Sequence, residues 1–245
     1  LAMQALLNQG YEGKINLIYI DPPFDSKADY SHKIKLGETE FTKEPSVIER
    51  LAYKDTWAGG TDSYLDMLYP RLQLMKRLLA PDGSIYVHLD WNVGHYVRVL
   101  MDEIFDKKNS LDDVIWYYGT ASGGRAAGNK PVKVHDMIFI YARNYGQHKY
   151  NKIYIPYSQK YIEERFTNVD ERGRIYRTRE RSDGDIQRQY LDESLGVPLG
   201  SVWSDIKQTY GMHLVKRAKE ETGFFTQKPE ALLERIIKIA TNEND

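Results

Sequence analysis

Cysteine is missing from all 245 residues, so neither a disulfide nor a thiolate metal site is available; a reducing compartment suits such a chain. No apolar run approaches the ~20 residues that span a bilayer, and no charged-then-apolar leader opens the sequence. Charge of one sign is lacking too. Lys and Arg number 34 against 35 Asp and Glu, so the whole molecule has no strong attraction for a polyanion, and any such binding needs a local basic patch. The six His show no spacing such as H-x-x-x-H, which leaves no metal site to expect. No internal repeat, low-complexity tract or Gly-x-Gly occurs, although 18 Gly are present. What is there is core material: 41% hydrophobic residues and 19 Tyr suit one sizeable core with a smaller appended lobe, not a disordered tail.

Lys14 to Ile20 is a short, β-branched apolar run that predicts a buried parallel strand, closed by Asp21-Pro22-Pro23-Phe24. Residues 25–63 read as a long polar, irregular connection of the kind that forms a lid or active-site loop. Helical spacing of Leu65, Leu68, Leu72, Met75 and Leu79 predicts a helix over 63–80, which Pro81-Asp82-Gly83 should break. A strand over 84–89, a helix over 93–105, and strands over 113–118 and 136–142 follow. This alternation predicts an α/β fold with a doubly wound sheet, whose ligands lie at the carboxyl ends of its strands, where Asp21 and Asp90 both stand. Residues 1–148 form the main region. From 149 to 210 apolar periodicity weakens and Tyr, Arg and Lys become frequent, which suggests a second lobe; residues 211–245 return to the main region through a helix opened by Thr226-Gln227-Lys228-Pro229. Leu1 begins inside a helical pattern without a cap, and the chain stops just after another helix, so it reads as a piece of something longer.

Asp21-Pro22-Pro23-Phe24 carries the chemistry. An exocyclic amine on a nucleobase is a poor nucleophile because its lone pair is delocalised into the ring. Methylating it requires acceptors that grip its N–H groups and turn the lone pair toward a methyl donor. Asp21 is one acceptor; the carbonyl between two prolines is another, with φ fixed and no competing N–H. Phe24 can stack on a base swung out of a duplex. The same tetrapeptide could simply end a strand, with Phe24 in the core. The preceding strand and the aromatic-bearing connection after it favour a site.

Ile18 to Phe24, Tyr53 to Trp57, Gly83 to Trp91, Val114 to Tyr118, His135-Asp136, Val202 to Ile206 and Thr226 to Pro229 stand in the order found in a known family. The chain resembles the circularly permuted (beta-group) DNA N6-adenine and N4-cytosine methyltransferases, a group that includes the modification subunits of type III restriction-modification systems. The resemblance implies a Rossmann-like domain with an inserted target-recognition lobe at 149–210, S-adenosylmethionine as cofactor, and double-stranded DNA with a flipped base as substrate. It also implies a cytoplasmic, prokaryotic setting without a membrane, with a restriction subunit or a second methyltransferase copy as partner. By position, Asp21, Pro22, Pro23 and Phe24 would be catalytic. Asp21, Thr226, Gln227, Lys228 and Pro229 would touch the cofactor. Asp in first place implies adenine, since the N4-cytosine enzymes usually carry Ser there.

Arg125, Lys130 and Lys133, in a loop over 119–134, are candidates for phosphate contact, with a solvated loop as the alternative. Arg172, Arg174, Arg177 and Arg179 crowd a stretch nearly free of acids and could grip phosphate or read guanine; a solvated surface is the competing reading. Asp90 either faces the cofactor or caps the next helix, and His88 reads as a satisfied core histidine. The family's Phe-x-Gly-x-Gly-type cofactor loop is absent, so the fragment alone should bind cofactor weakly, be inactive, and leave an exposed sheet edge. N4-cytosine methylation, methylation of RNA or a glutamine amide, and a non-catalytic DNA-binding module are the alternatives; the last should carry a broken Asp-Pro-Pro-Phe, which is intact here.

Overall fold

A computed structural model describes residues 1–24, 32–36, 39–43, 60–119, 129, 131–208 and 227–245. These divide into two compact units, Leu1–Tyr150 with Ser201–Asp245, and Asn151–Gly200. The first unit is built on a five-stranded sheet in the order β1 (Ile15–Ile20), β4 (Leu79–Leu89), β6 (His135–Ala142), β5 (Ser110–Tyr117) and β12 (Val202–Trp203). β1 runs parallel to β4, and β12 parallel to β5, but β6 is antiparallel to both its neighbours. β1 is an end strand of this sheet and its six residues are all partly exposed, rather than buried as its apolar run suggests.

Helices cover both faces. Ile85, Val87 and Leu89 of β4 pair with Tyr141, Phe139 and Met137 of β6, so all six point the same way. They share one core with Tyr64, Leu68 and Leu72 of α2 (Gly60–Leu78) and Val97, Met101 and Phe105 of α3 (Gly94–Phe105). Burial of each such side chain stabilises by roughly 1.5–3 kcal/mol. That is enough for α2 to run on through Pro70, which removes a helical hydrogen bond. Tyr86, His88, Ile138 and Ile140, the alternate positions, are buried on the opposite face. There α5 (Glu230–Ala240) buries Leu232, Ile236 and Ile239; it touches β1, and its Arg235 lies against Trp203 at 5.2 Å. The result is a mixed-sheet, Rossmann-like α/β fold. A short helix, α1 (Ala2–Asn8), packs on α2.

Two local expectations give way. Pro81-Asp82-Gly83 does not turn the chain: α2 ends at Leu78, β4 starts at Leu79, and the tripeptide lies inside the strand. Its extra residues are absorbed as an irregularity, since the register passes from Ile15↔Leu79 to Leu17↔Ser84. The carbonyls there find partners: Pro81 O accepts from Asn144 Nδ2 at 2.8 Å, Asp82 O from Lys149 N at 3.0 Å and Gly83 O from Arg143 N at 2.8 Å. Within the connection over 25–63, β2 (His32–Leu36) and β3 (Thr39–Lys43) pair as an antiparallel hairpin, and α2 begins at Gly60. The apolar Ile34 and Leu36 alternating with Lys33 and Lys35 is the period-2 signal of a strand.

The second unit holds β7 (Tyr154–Ile155), α4 (Gln159–Arg165), β8 (Asn168–Val169), β9 (Ile175–Glu180), β10 (Ile186–Tyr190) and β11 (Val197–Pro198). β10, β9 and β8 form one antiparallel sheet, and β11 pairs with β7. Residues from Ser201 onward belong to the first unit because β12 joins its sheet and Ile206 O accepts from Trp116 Nε1 at 2.9 Å.

Candidate active site

Strand direction decides which residues meet. β1, β4 and β5 end, and β6 begins, at one edge of the sheet, so Asp21, Asp90, Tyr118 and Asp136 collect there. Asp21, Pro22, Pro23 and Phe24 leave β1 at that edge; the two prolines and Phe24 are partly buried. Phe24 packs on the core beneath and lies 6.1 Å from the His88 ring, so the core reading of this aromatic holds for part of its surface.

Lys228 reaches the same place from the far end of the chain. Its Nζ donates to Asp21 Oδ2 at 2.6 Å and sits 5.4 Å from the Phe24 ring centre. The two side chains are 14% and 24% exposed, so the ion pair is partly shielded from water. Gln227 is half-buried beside it, and Pro229 is the N-cap of α5 rather than a first-turn residue. Thr226 lies outside the described residues.

Under this edge runs a chain of polar contacts through the core. Tyr19 Oη is 2.8 Å from His88 Nδ1, His88 Nε2 is 3.1 Å from Asp136 Oδ2, and Tyr118 Oη donates to Asp136 Oδ1 at 3.4 Å. His88 is fully buried and Trp116 packs edge-on to it at 5.4 Å. Burial, with Asp21 and Asp136 nearby, pushes the Tyr19 phenol far above its ordinary value, so it keeps its proton. His88 is thus a satisfied core histidine. Its partners Tyr19 and Asp136 stand in two of the motif blocks, Ile18 to Phe24 and His135-Asp136, but the sequence assigned neither of them a role. Asp90 takes the structural role: although the N-cap of α3 is Val93, the Asp90 carboxylate holds the turn that opens the helix. It accepts from Asn92 N at 2.8 Å, Asn92 Nδ2 at 2.7 Å and the Val93 backbone, and the Asp90 carbonyl accepts from Gly94 N at 3.1 Å. Burial pushes its carboxyl up to about 6.

The basic candidates separate. Lys133 lies over the ring of Trp91, next to Asp90, while Arg125 and Lys130 lie outside the described residues. In the second unit Arg174 is held by Asp192 at 2.8 Å and Glu193 at 2.5 Å and stacks on Tyr190 at 4.0 Å. Arg177 donates to Gln189 Oε1 at 2.9 and 2.8 Å, bonds Tyr161, and lies 5.0 Å from the Phe166 ring. Arg172 and Arg179 are exposed. The stretch that is poor in acids along the sequence is therefore not poor in acids in space.

Among the described residues no group of His, Asp and Glu could hold a metal ion, and no helix is long and apolar enough to cross a membrane. A family model described as DNA methylase, for N6 and N4 methyltransferases, matches residues 15–245. The Mod subunit of the type III restriction-modification enzyme EcoP15I of Escherichia coli is 27% identical over 145 residues, which cover 55% of this chain and 21% of that protein. The type II methyltransferase M.EcaI of Enterobacter cloacae is 24% identical over the whole chain and 58% of its own length. The solved cytosine-N4-specific PvuII DNA methyltransferase is 13% identical, with a TM-score of 0.46 over 96% of this chain and 66% of that one. The chain spans about a fifth of the length of the type III relatives it matches.

Proposed function

The chain belongs to the N6/N4 DNA methylase family, and from that premise we propose that it forms part of an enzyme that methylates the N6 amine of adenine in specific duplex sites. The family uses S-adenosylmethionine, which supplies an electrophilic methyl on a sulfonium. One observation carries the proposal. The Asp21–Lys228 pair, 2.6 Å across, joins the segment suited to gripping an amine to the segment whose resemblance implies cofactor contact. A carboxylate and an ammonium side by side fit the zwitterionic methionine end of that cofactor, which Asp21, Gln227, Lys228 and Pro229 would hold, together with Thr226.

Asp21 and the Pro22 carbonyl would accept the two N–H groups of the target amine and so localise its lone pair for attack on the methyl that the cofactor supplies. Phe24, partly buried and backed by the core, offers one face to an extruded base. Asp21 in first place supports adenine over cytosine. Lys133 beside Trp91 would contact a phosphate at this edge, with Arg125 and Lys130 of the same loop, and the second unit, Asn151–Gly200, would recognise the target. A restriction subunit or a second methyltransferase copy would be the protein partner, as suits relatives that are subunits of restriction-modification enzymes.

Labelled methyl transfer by the full-length protein to duplex DNA, followed by nucleoside analysis, tests this reading. N6-methyladenine is expected, and Asp21→Ala should abolish it while duplex binding persists. Recovery of N4-methylcytosine would overturn the substrate, and full activity in Asp21→Ala the mechanism.

A further inference from the structure

The hairpin β9–β10 in the second unit has two faces of different character. Cross-strand pairs put Arg177 opposite Gln189 and Arg179 opposite Gln187 on one face. Tyr176 opposite Tyr190, Thr178 opposite Arg188 and Glu180 opposite Ile186 occupy the other. β8 pairs only with the base of the hairpin, at Tyr176 and Ile175, so from Arg177 outward it is a two-stranded ribbon. Arg181 N donates to Asp185 O at 2.8 Å and closes the tip.

Along the Arg/Gln face the rows are not equivalent. Arg177 and Gln189 bond each other, and Arg177 packs on Tyr157, Tyr161 and Phe166, so this row fixes the ribbon to its lobe. One row farther out, Arg179 and Gln187 are both exposed. On the opposite face Arg188 lies over the Tyr176 ring at 4.9 Å, and Arg174 is held by Asp192 and Glu193. Arg174, Arg177 and Gln189 thus work inside the lobe, the exposed Arg188 lies on the opposite face against Tyr176, and Arg179 and Gln187 project side by side.

We propose that the β9–β10 ribbon enters the major groove of the target duplex, with Arg179 reading a guanine and Gln187 an adenine. This rests on the reading of the chain as part of a DNA methyltransferase. The major groove is about 12 Å wide and admits a two-stranded ribbon; guanidinium bonds guanine O6 and N7, and a carboxamide bonds adenine N6 and N7, each in bidentate fashion. The ribbon carries Arg177, Arg179, Arg181 and Arg188 against Glu180, Asp183 and Asp185; the acids lie at or beside the tip, Glu180 points to the other face, and the row of Arg179 and Gln187 itself carries none. Opposed residues on one face have Cβ atoms about 5 Å apart. With base pairs stacked about 3.4 Å apart, the two bases read should lie within two base pairs of each other.

Randomised duplexes bound by the full-length protein, sequenced after selection, give the base preference at every position; methyl transfer by the wild type is measured alongside. Arg179→Ala should lower the preference for guanine at one position about tenfold or more, with Arg179→Lys only partly restoring it. Gln187→Ala should do the same for adenine at one position within two base pairs. If binding weakens equally on all sequences, these side chains hold phosphate or the lobe itself, and the inference is wrong. Unchanged preference and affinity would overturn it too, and would turn attention to a protein partner for this face. Absence of methyl transfer by the wild type would count against the proposed activity, whereas the selection judges the ribbon independently.

Discussion

Replacing Lys228 by Met should uncouple the two ends of the chain. At a charge separation of about 4 Å and an effective dielectric near 20, such a pair gains roughly 4 kcal/mol before costs. Desolvation and lost rotamer freedom take back a large share. With side chains 14% and 24% exposed, Lys228 and Asp21 stand between a surface pair, where coupling is about 0–1 kcal/mol, and a buried one, where losing a partner costs about 3–5 kcal/mol. We expect a coupling energy of about 1–2 kcal/mol. A double-mutant cycle of Lys228→Met, Asp21→Asn and both together measures it in the full-length protein, by urea unfolding followed through the buried Trp116 and Trp203. Lys228→Met should also raise the KM for S-adenosylmethionine more than it lowers kcat. A coupling below about 0.3 kcal/mol would refute the claim that this contact ties α5 to β1.

Other consequences are equally open to measurement. His88→Phe leaves Asp136 buried and deprived of a partner, so it should lower stability by about 2–4 kcal/mol in urea unfolding; a loss under 1 kcal/mol would speak against the network. Gly83→Ala brings a Cβ to 2.8 Å from Ile15 O and 2.9 Å from Asn16 O, backbone atoms that cannot step aside, and should lower Tm with a loss of about 1–3 kcal/mol. Asp90 has a folded value of about 6 against 3.8 when free, so the native state binds its proton more tightly. Stability from this group therefore falls as pH rises from about 4 through 6. The unfolding free energy of Asp90→Asn, compared with wild type across that window, should lack a decline of about 1–2 kcal/mol after allowance for solvent screening. A parallel pair of curves would show that Asp90 is not the group responsible.

Local features were legible in the residues alone. Apolar spacing placed α2, α3, α5 and the four main strands, because a side chain's period reports its own backbone. Asp21-Pro22-Pro23-Phe24 marked a candidate site because two prolines and a carboxylate at a strand end restrict the backbone and place two acceptors together. Tertiary structure decided everything that depends on pairing across distance. Whether β6 runs antiparallel, and so delivers Asp136 to the edge where β1 delivers Asp21, is a choice among partners that no local pattern encodes. The contact of Lys228 with Asp21 joins residues 207 positions apart. Arg174 and Arg177 looked as available as Arg179 along the chain; two acids and a ring from residues 190–193 close on the first, rings from residues 157–166 close on the second, and the third is left exposed. Neutralisation of a charge depends on what lies within a few ångströms, and the fold alone sets that neighbourhood.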